Sequence, residues 1–154
     1  MAKYVVPGNQ ATVSSSYKTA ATVYAGASAT RRGKIAEILI GASANPNATD
    51  TYIQFDLSRV TAAGTVTAFT PNPVDPADAA CSAVAGVNAT AEPTVTSNSS
   101  LFNEAINQRG TLRWLESDES KMLTYPATSL AGFSLRAQSS TYVGSVTGLI
   151  GFLE

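Results

Sequence analysis

Histidine is absent from this chain, and cysteine occurs only once, as Cys81. Without histidine the chain cannot form a Ser–His–Asp triad, a histidine metal site or an imidazole acid–base pair. A single cysteine excludes an intrachain disulfide and any CxxC site. Most of the residue types that carry enzyme chemistry are therefore missing.

Charge is also scarce, since charged residues make up 14% of the chain against roughly 25% in an average globular protein. The 10 basic and 11 acidic residues leave a net charge of -1. This balance excludes a general electrostatic nucleic-acid binder, which needs a basic face. No apolar run approaches the ~20 residues that cross a bilayer, and no apolar signal segment opens the chain. We expect a protein made in the cytosol that binds neither nucleic acid nor membrane.

Short segments with period-two alternation fill much of the 154 residues and are separated by turn-forming residues. The clearest is 51–60, in which Ile53, Phe55 and Leu57 share one face. The other candidates are 17–25, 34–41, 65–69, 111–116, 121–125, 132–138 and 142–153. Roughly eight or nine short strands at this spacing predict an all-β fold, an antiparallel β-sandwich of jelly-roll or Greek-key type.

Turn chemistry gives two more local predictions. Ala63-Gly64 predicts a β-hairpin that joins the strands 51–60 and 65–69. Asp75-Pro76 has the character of a helix N-cap and first helical residue, and good helix formers follow as far as Gly86. These residues predict one short helix around 75–85.

The domain organisation is predicted as a single β-sandwich over 17–154, preceded by a polar N-terminal extension over 1–16. The extension is either a frayed terminus or an arm that docks on a neighbouring subunit through its apolar residues. The densest cluster of charged residues, Arg31, Arg32 and Lys34 around Gly33, is either a solvated loop or a patch that pairs with an acidic neighbour. The candidate interface residues are Tyr4, Val5, Val6, Arg31, Arg32 and Lys34.

Carboxylates are the remaining candidates for catalysis or metal binding. A glycosidase would need a pair of them, and an oxygen-ligand calcium site would need several close together. The candidate carboxylates are Asp50, Asp56, Glu116, Asp118 and Glu119. Their spacing matches no motif, and a Ser-rich turn of this kind is typical of a solvated loop. We therefore predict no enzyme activity, no cofactor and no metal.

Several segments carry a resemblance to a known group of proteins. They are 61–80 (TAAGTVTAFTPNPVDPADAA), 88–94 (NATAEPT), 107–109 (NQR), 125–128 (YPAT) and 151–154 (GFLE). The chain from about residue 33 onwards resembles small tailed-bacteriophage virion proteins of the head region. The resemblance implies a capsid decoration, or cement, protein on the head surface, with the major capsid protein as its partner. It implies no catalytic residues.

Two other functions remain open at this stage. The same β-rich composition suits a tail or neck structural component. A carbohydrate-binding module would use aromatic side chains as stacking faces. The candidates for stacking are Tyr4, Tyr17, Tyr24, Tyr52, Trp114, Tyr125 and Tyr142. For a shell protein we expect a homo-oligomer, with a homotrimer favoured because symmetric shells offer threefold positions.

Overall fold

The computed structural model describes residues 1–154 and contains twelve strands and no helix. The strands are β1 (Lys3–Gln10), β2 (Lys18–Ala25), β3 (Gly33–Ala42), β4 (Tyr52–Ala62), β5 (Thr65–Phe69), β6 (Asn72–Pro73), β7 (Ala83–Ala91), β8 (Thr94–Asn107), β9 (Thr111–Leu115), β10 (Leu123–Tyr125), β11 (Gly132–Gln138) and β12 (Val146–Leu153). The predicted all-β fold, an antiparallel sandwich, is confirmed.

The strands form two six-stranded sheets in which every pair is antiparallel. Sheet A has the order β10-β3-β12-β1-β6, and β9 also pairs with β3. Sheet B has the order β5-β7-β2-β11-β4-β8. Neighbours in each sheet are mostly distant in sequence, so the sheets depend on long-range pairing.

The core lies between the sheets and is formed by alternate residues of their inner strands. Ile53, Phe55 and Leu57 of β4 are fully buried, as their alternation predicts. Two aromatic pairs fill the wider spaces. Tyr4 stacks on Phe152 at 5.5 Å between ring centroids within sheet A, and Tyr125 meets Phe133 of sheet B edge-on at 6.1 Å.

The predicted N-terminal extension over 1–16 is wrong, because most of it belongs to the sandwich. Residues 3–10 are β1, which lies between β12 and β6 in sheet A. Tyr4 and Val6 point into the core with 4% and 0% of their surface exposed. Burial of these two large side chains stabilises β1 in the sheet, and a free arm would lack this contribution. Deleting residues 1–16 would uncover Ile150, which is the partner of Val6.

The predicted helix around 75–85 is also wrong. Asp75 accepts a hydrogen bond at Oδ1 from the backbone N–H of Ala77 at 2.9 Å, which makes a turn rather than a helix cap. From Ala83 the chain is β7, and Ala85 pairs with Val23 of β2. Pairing and burial of alternate alanines override their helix propensity. The structure has no helix long and apolar enough to span a membrane.

The predicted hairpin at Ala63-Gly64 is a bend in a longer ribbon. β4 pairs with β8, and β5 pairs with β7, so β4 and β5 are not partners. The segment 52–69 runs antiparallel to 83–107 and bends where Gly64 faces Pro93. Gly64 has φ +70°, and a Cβ there would lie 2.4 Å from the carbonyl oxygen of Ala91. The glycine is needed for the bend, as the turn signal indicated, but the pairing is different.

Candidate functional site

A pocket of about 630 Å³ opens at one end of sheet A, and we call it the end pocket. The start of β1, the end of β12 and the start of β3 lie side by side there, with Leu153 opposite both Lys3 and Lys34. The loop before β3 forms one wall, and the loop before β7 forms the other. The charged and aromatic lining residues are Tyr4, Arg31, Arg32, Lys34, Asp78 and Glu154.

Four of the predicted interface residues meet in this pocket: Tyr4, Arg31, Arg32 and Lys34. The other two do not line it. Val6 is fully buried in the core, and Val5 is half-buried opposite Gly151 in sheet A. Sequence reasoning missed Asp78 and Glu154, because only the strand pairing brings them to the pocket. No local signal marks them.

Hydrogen bonds fix the floor of the pocket. Tyr4 donates from its hydroxyl to the carbonyl oxygen of Ala79 at 2.7 Å. The Glu154 carboxylate accepts from the backbone N–H of Ser82 at 2.9 Å, from that of Ala83 at 3.1 Å, and from the Ser82 hydroxyl. Hydrogen bonds to a carboxylate are stronger than neutral ones. They hold the loop before β7 against the last strand of sheet A.

The two arginines of the pocket have no ion-pair or hydrogen-bond partner. The other charged contacts of the chain engage different basic residues, and Lys34 itself lies 2.9 Å from Glu119. Arg31 and Arg32 are exposed, so their guanidinium donors face solvent at the mouth of the pocket. Such a planar fork of donors matches a carboxylate or phosphate.

The Tyr4 phenol on the floor and the Cys81 thiol nearby stay protonated near neutral pH. Burial raises the pKa of the Tyr4 phenol, with further contributions from Cys81, once its thiol ionises, and from Asp78. Burial also raises the pKa of the Cys81 thiol, and the Glu154 carboxylate adds to this effect. A thiol held in its protonated form is a weak nucleophile. The Cys81 thiol is therefore poorly suited to act as a nucleophile.

A second cavity, of about 430 Å³, lies on the outer face of sheet B. Asp56 is 1% exposed there, although it lies on the face of β4 opposite to the core residues Phe55 and Leu57. Arg136 donates to its Oδ2 from Nε at 3.0 Å and from Nη2 at 2.6 Å, and Ser58 and Ser100 donate as well. The carboxylate is saturated by these donors, so the cluster stabilises the sheet.

The candidate carboxylates do not converge on a reaction site. Asp50 pairs with Arg109, Asp118 with Lys121 and Glu119 with Lys34, while Asp56 pairs with Arg136. Each of these four is therefore bound to a different basic residue. No group of three or more Cys, Asp or Glu side chains is arranged to hold a metal ion.

The aromatic side chains considered for sugar stacking are divided between core and surface. Tyr4, Tyr125 and Tyr142 are at least 96% buried and present no face to a ligand. Arg136 covers the ring of Tyr17 at 4.5 Å. Tyr52 is the most exposed, at 53%, but it stands alone on β4. The structure presents no row of exposed rings.

Comparison with protein-family models, with curated proteins and with solved structures finds no match for this chain.

Proposed function

We propose that this chain is a non-enzymatic virion structural protein of the capsid decoration type, which binds the outer shell of a phage head and stabilises it. The proposal rests on the resemblance of the segments 61–80, 88–94 and 125–128 to phage head proteins. The structural observation that supports it best is the end pocket, where Arg31 and Arg32 offer free guanidiniums at the mouth, above a fixed floor.

The distribution of charge supports binding rather than catalysis. The buried acidic group of sheet B is neutralised by Arg136, and Glu37 is bridged by both Lys3 and Arg113 at 2.8 and 2.7 Å. Free cations thus remain at the end pocket, which suits an attachment point for an acidic surface.

The major capsid protein is the proposed partner, and a homotrimer remains our prediction for the assembly. Identical copies at threefold positions of a shell would each supply one end pocket. Several modest contacts then give strong overall attachment, because each bound copy raises the effective concentration of the next. This logic suits a small domain of low charge.

Imaging of phage heads tests the proposal directly. Heads are prepared from a phage that encodes this chain and from one in which its gene is deleted, and both are reconstructed and heated. We expect density for the sandwich on wild-type heads only. On heating, heads that lack the chain should release their DNA earlier than wild-type heads, and adding purified chain should restore their resistance to heat. Wild-type heads without this density would overturn the proposal, and density on the tail or neck would favour that alternative.

A further inference from the structure

We propose that the end pocket binds an acidic peptide segment, whose side-chain carboxylate is held between Arg31 and Arg32 while its flanking small or apolar residues lie against Ala2 and Ala79. This inference rests on the proposed function for the identity of the partner, a shell protein. The chemistry of the pocket does not depend on that identity.

A pair of guanidiniums lies at the mouth of the end pocket. Arg31 and Arg32 are consecutive, exposed and without acceptors, and they lie directly before β3 at the pocket mouth. Each guanidinium has five N–H donors in a fixed plane, and carboxylates accept two of them at once. The third cation, Lys34, already binds Glu119 and so is less available to a ligand.

The opposite wall of the pocket is acidic, and it determines the class of ligand. Asp78 and Glu154 line the same pocket. A polyanion such as a nucleic acid would place further phosphates near these carboxylates, and like charges repel. A peptide segment with one carboxylate places its single charge at the arginines and neutral groups beside the acidic wall. The dipolar lining therefore favours an acidic peptide over nucleic acid.

Apolar side chains also line the end pocket. Ala2, Tyr4 and Ala79 line the pocket between the two charged walls. Cavities of roughly 300–1,000 Å³ with an apolar lining and a few directed polar groups are typical of ligand sites. At about 630 Å³ the end pocket lies within that range of volumes. The hydrogen bonds from Tyr4 and to Glu154 hold the floor in place before a ligand arrives.

The binding test uses the blocked peptide acetyl-Gly-Leu-Asp-Leu-Gly-amide, titrated into the full-length chain and followed by NMR. Its matched control carries Asn in place of Asp. We expect shifts at the end pocket, and binding roughly tenfold or more weaker for the Asn peptide and for the double variant R31A/R32A. The double variant R109A/R113A, which removes two exposed arginines elsewhere, should bind as the wild type does.

The results that overturn the inference are specific. Equal affinity for the Asp and Asn peptides would show that the carboxylate is not recognised. Unchanged binding by R31A/R32A would show that the peptide does not bind at these arginines. Absence of binding at millimolar peptide would overturn it as well. Stronger binding of single-stranded oligothymidine than of the peptide would replace it with nucleic-acid recognition. Arg31 and Arg32 make no contacts that hold the fold, and a thermal melt checks that the variant is folded.

Attachment to heads separates this inference from the proposed function. If heads carry the wild-type chain and R109A/R113A but lose R31A/R32A, both stand. If R31A/R32A stays attached as firmly as the wild type, the pocket inference fails and the decoration function stands. If no form attaches but the Asp peptide binds with the expected arginine dependence, the function fails and the pocket chemistry stands.

Discussion

The guanidinium of Arg136 donates two hydrogen bonds to the same carboxylate oxygen of Asp56, from Nη2 at 2.6 Å and from Nε at 3.0 Å, on the outer face of sheet B. The two residues face each other on the paired strands β11 and β4. Their side chains are 17% and 2% exposed. This pair is the most deeply buried ion pair of the chain, and its two partners depend on each other.

Replacing Asp56 with Asn should destabilise the protein by about 3–5 kcal/mol at neutral pH, because it leaves the Arg136 charge unpaired. Desolvation raises the pKa of Asp56, but hydrogen bonds from Ser100, Ser58 and Arg136 outweigh it and hold the pKa below 3.8. The charged form thus stabilises the fold above pH 3.8, and this stability is lost as pH falls through the native pKa. Urea unfolding of D56N across pH should show a deficit that shrinks in acid.

Asp75 provides the control for that experiment. It is exposed, and its side chain accepts one backbone hydrogen bond, which Asn can also accept. D75N should therefore lie within about 0.5 kcal/mol of the wild type at neutral pH. If D56N unfolded at the same urea concentration as D75N at neutral pH, the buried pair would have no stabilising role.

The hydroxyl of Tyr125 should be dispensable. It is buried with no hydrogen-bond partner, and burial raises the pKa of this phenol far above its usual range. Y125F removes an unsatisfied group and should stabilise the protein by about 1–3 kcal/mol. Y142F is the matched comparison, because the Tyr142 hydroxyl donates to the carbonyl of Ser145 at 2.8 Å. It should cost about 0.5–1.5 kcal/mol. Thermal melts that rank Y142F above Y125F would contradict the assignment.

Gly64 should tolerate no side chain. Its φ is +70°, and an added Cβ would lie 2.4 Å from the carbonyl oxygen of Ala91. G64A should therefore destabilise the protein by about 1–3 kcal/mol in chemical unfolding. Gly110 is the control, since the nearest atom to a Cβ there is the carbonyl oxygen of Asn107 at 3.4 Å. A G64A protein as stable as G110A would show that the ribbon bends elsewhere.

Cys81 should alkylate slowly at pH 8 in the folded protein, because burial and the Glu154 carboxylate hold its pKa above 9.0. The rate of reaction with iodoacetamide should rise to its midpoint only above pH 9.0. E154Q should lower that midpoint. A variant that merely exposed the thiol would react faster at every pH without moving the midpoint, so the two effects are separable. The urea-unfolded chain gives the reference profile.

Local alternation was sufficient to locate most strands. Period two is a property of neighbouring residues, so Ile53, Phe55 and Leu57 could be assigned to one buried face without knowledge of any partner. The alternation of 132–138 likewise matches β11, and 34–41, whose short apolar run and following turn residues predict a strand, lies within β3. The two-sheet class follows from the number and spacing of such segments.

Partner choice could not be read in the same way. Ala63-Gly64 indicates a bend, but nothing local tells that β5 pairs with β7 instead of β4. Asp75 is a genuine turn residue, yet the alanines after it join a strand because β2 offers them a buried face. The end pocket needs Lys3, Leu153 and Lys34 to be neighbours, and only the assembled sheet brings them together.

The position of β12 has a consequence for how the chain acquires its structure during translation. Residues 146–153 lie between β1 and β3, so these two early strands of sheet A do not pair with each other. Val6 therefore waits for Ile150, its partner, for roughly 7–30 s at about 5–20 residues per second. Through that interval the edge of β1 that pairs with β12 in the folded protein stays open, and an open strand edge is a template for aggregation.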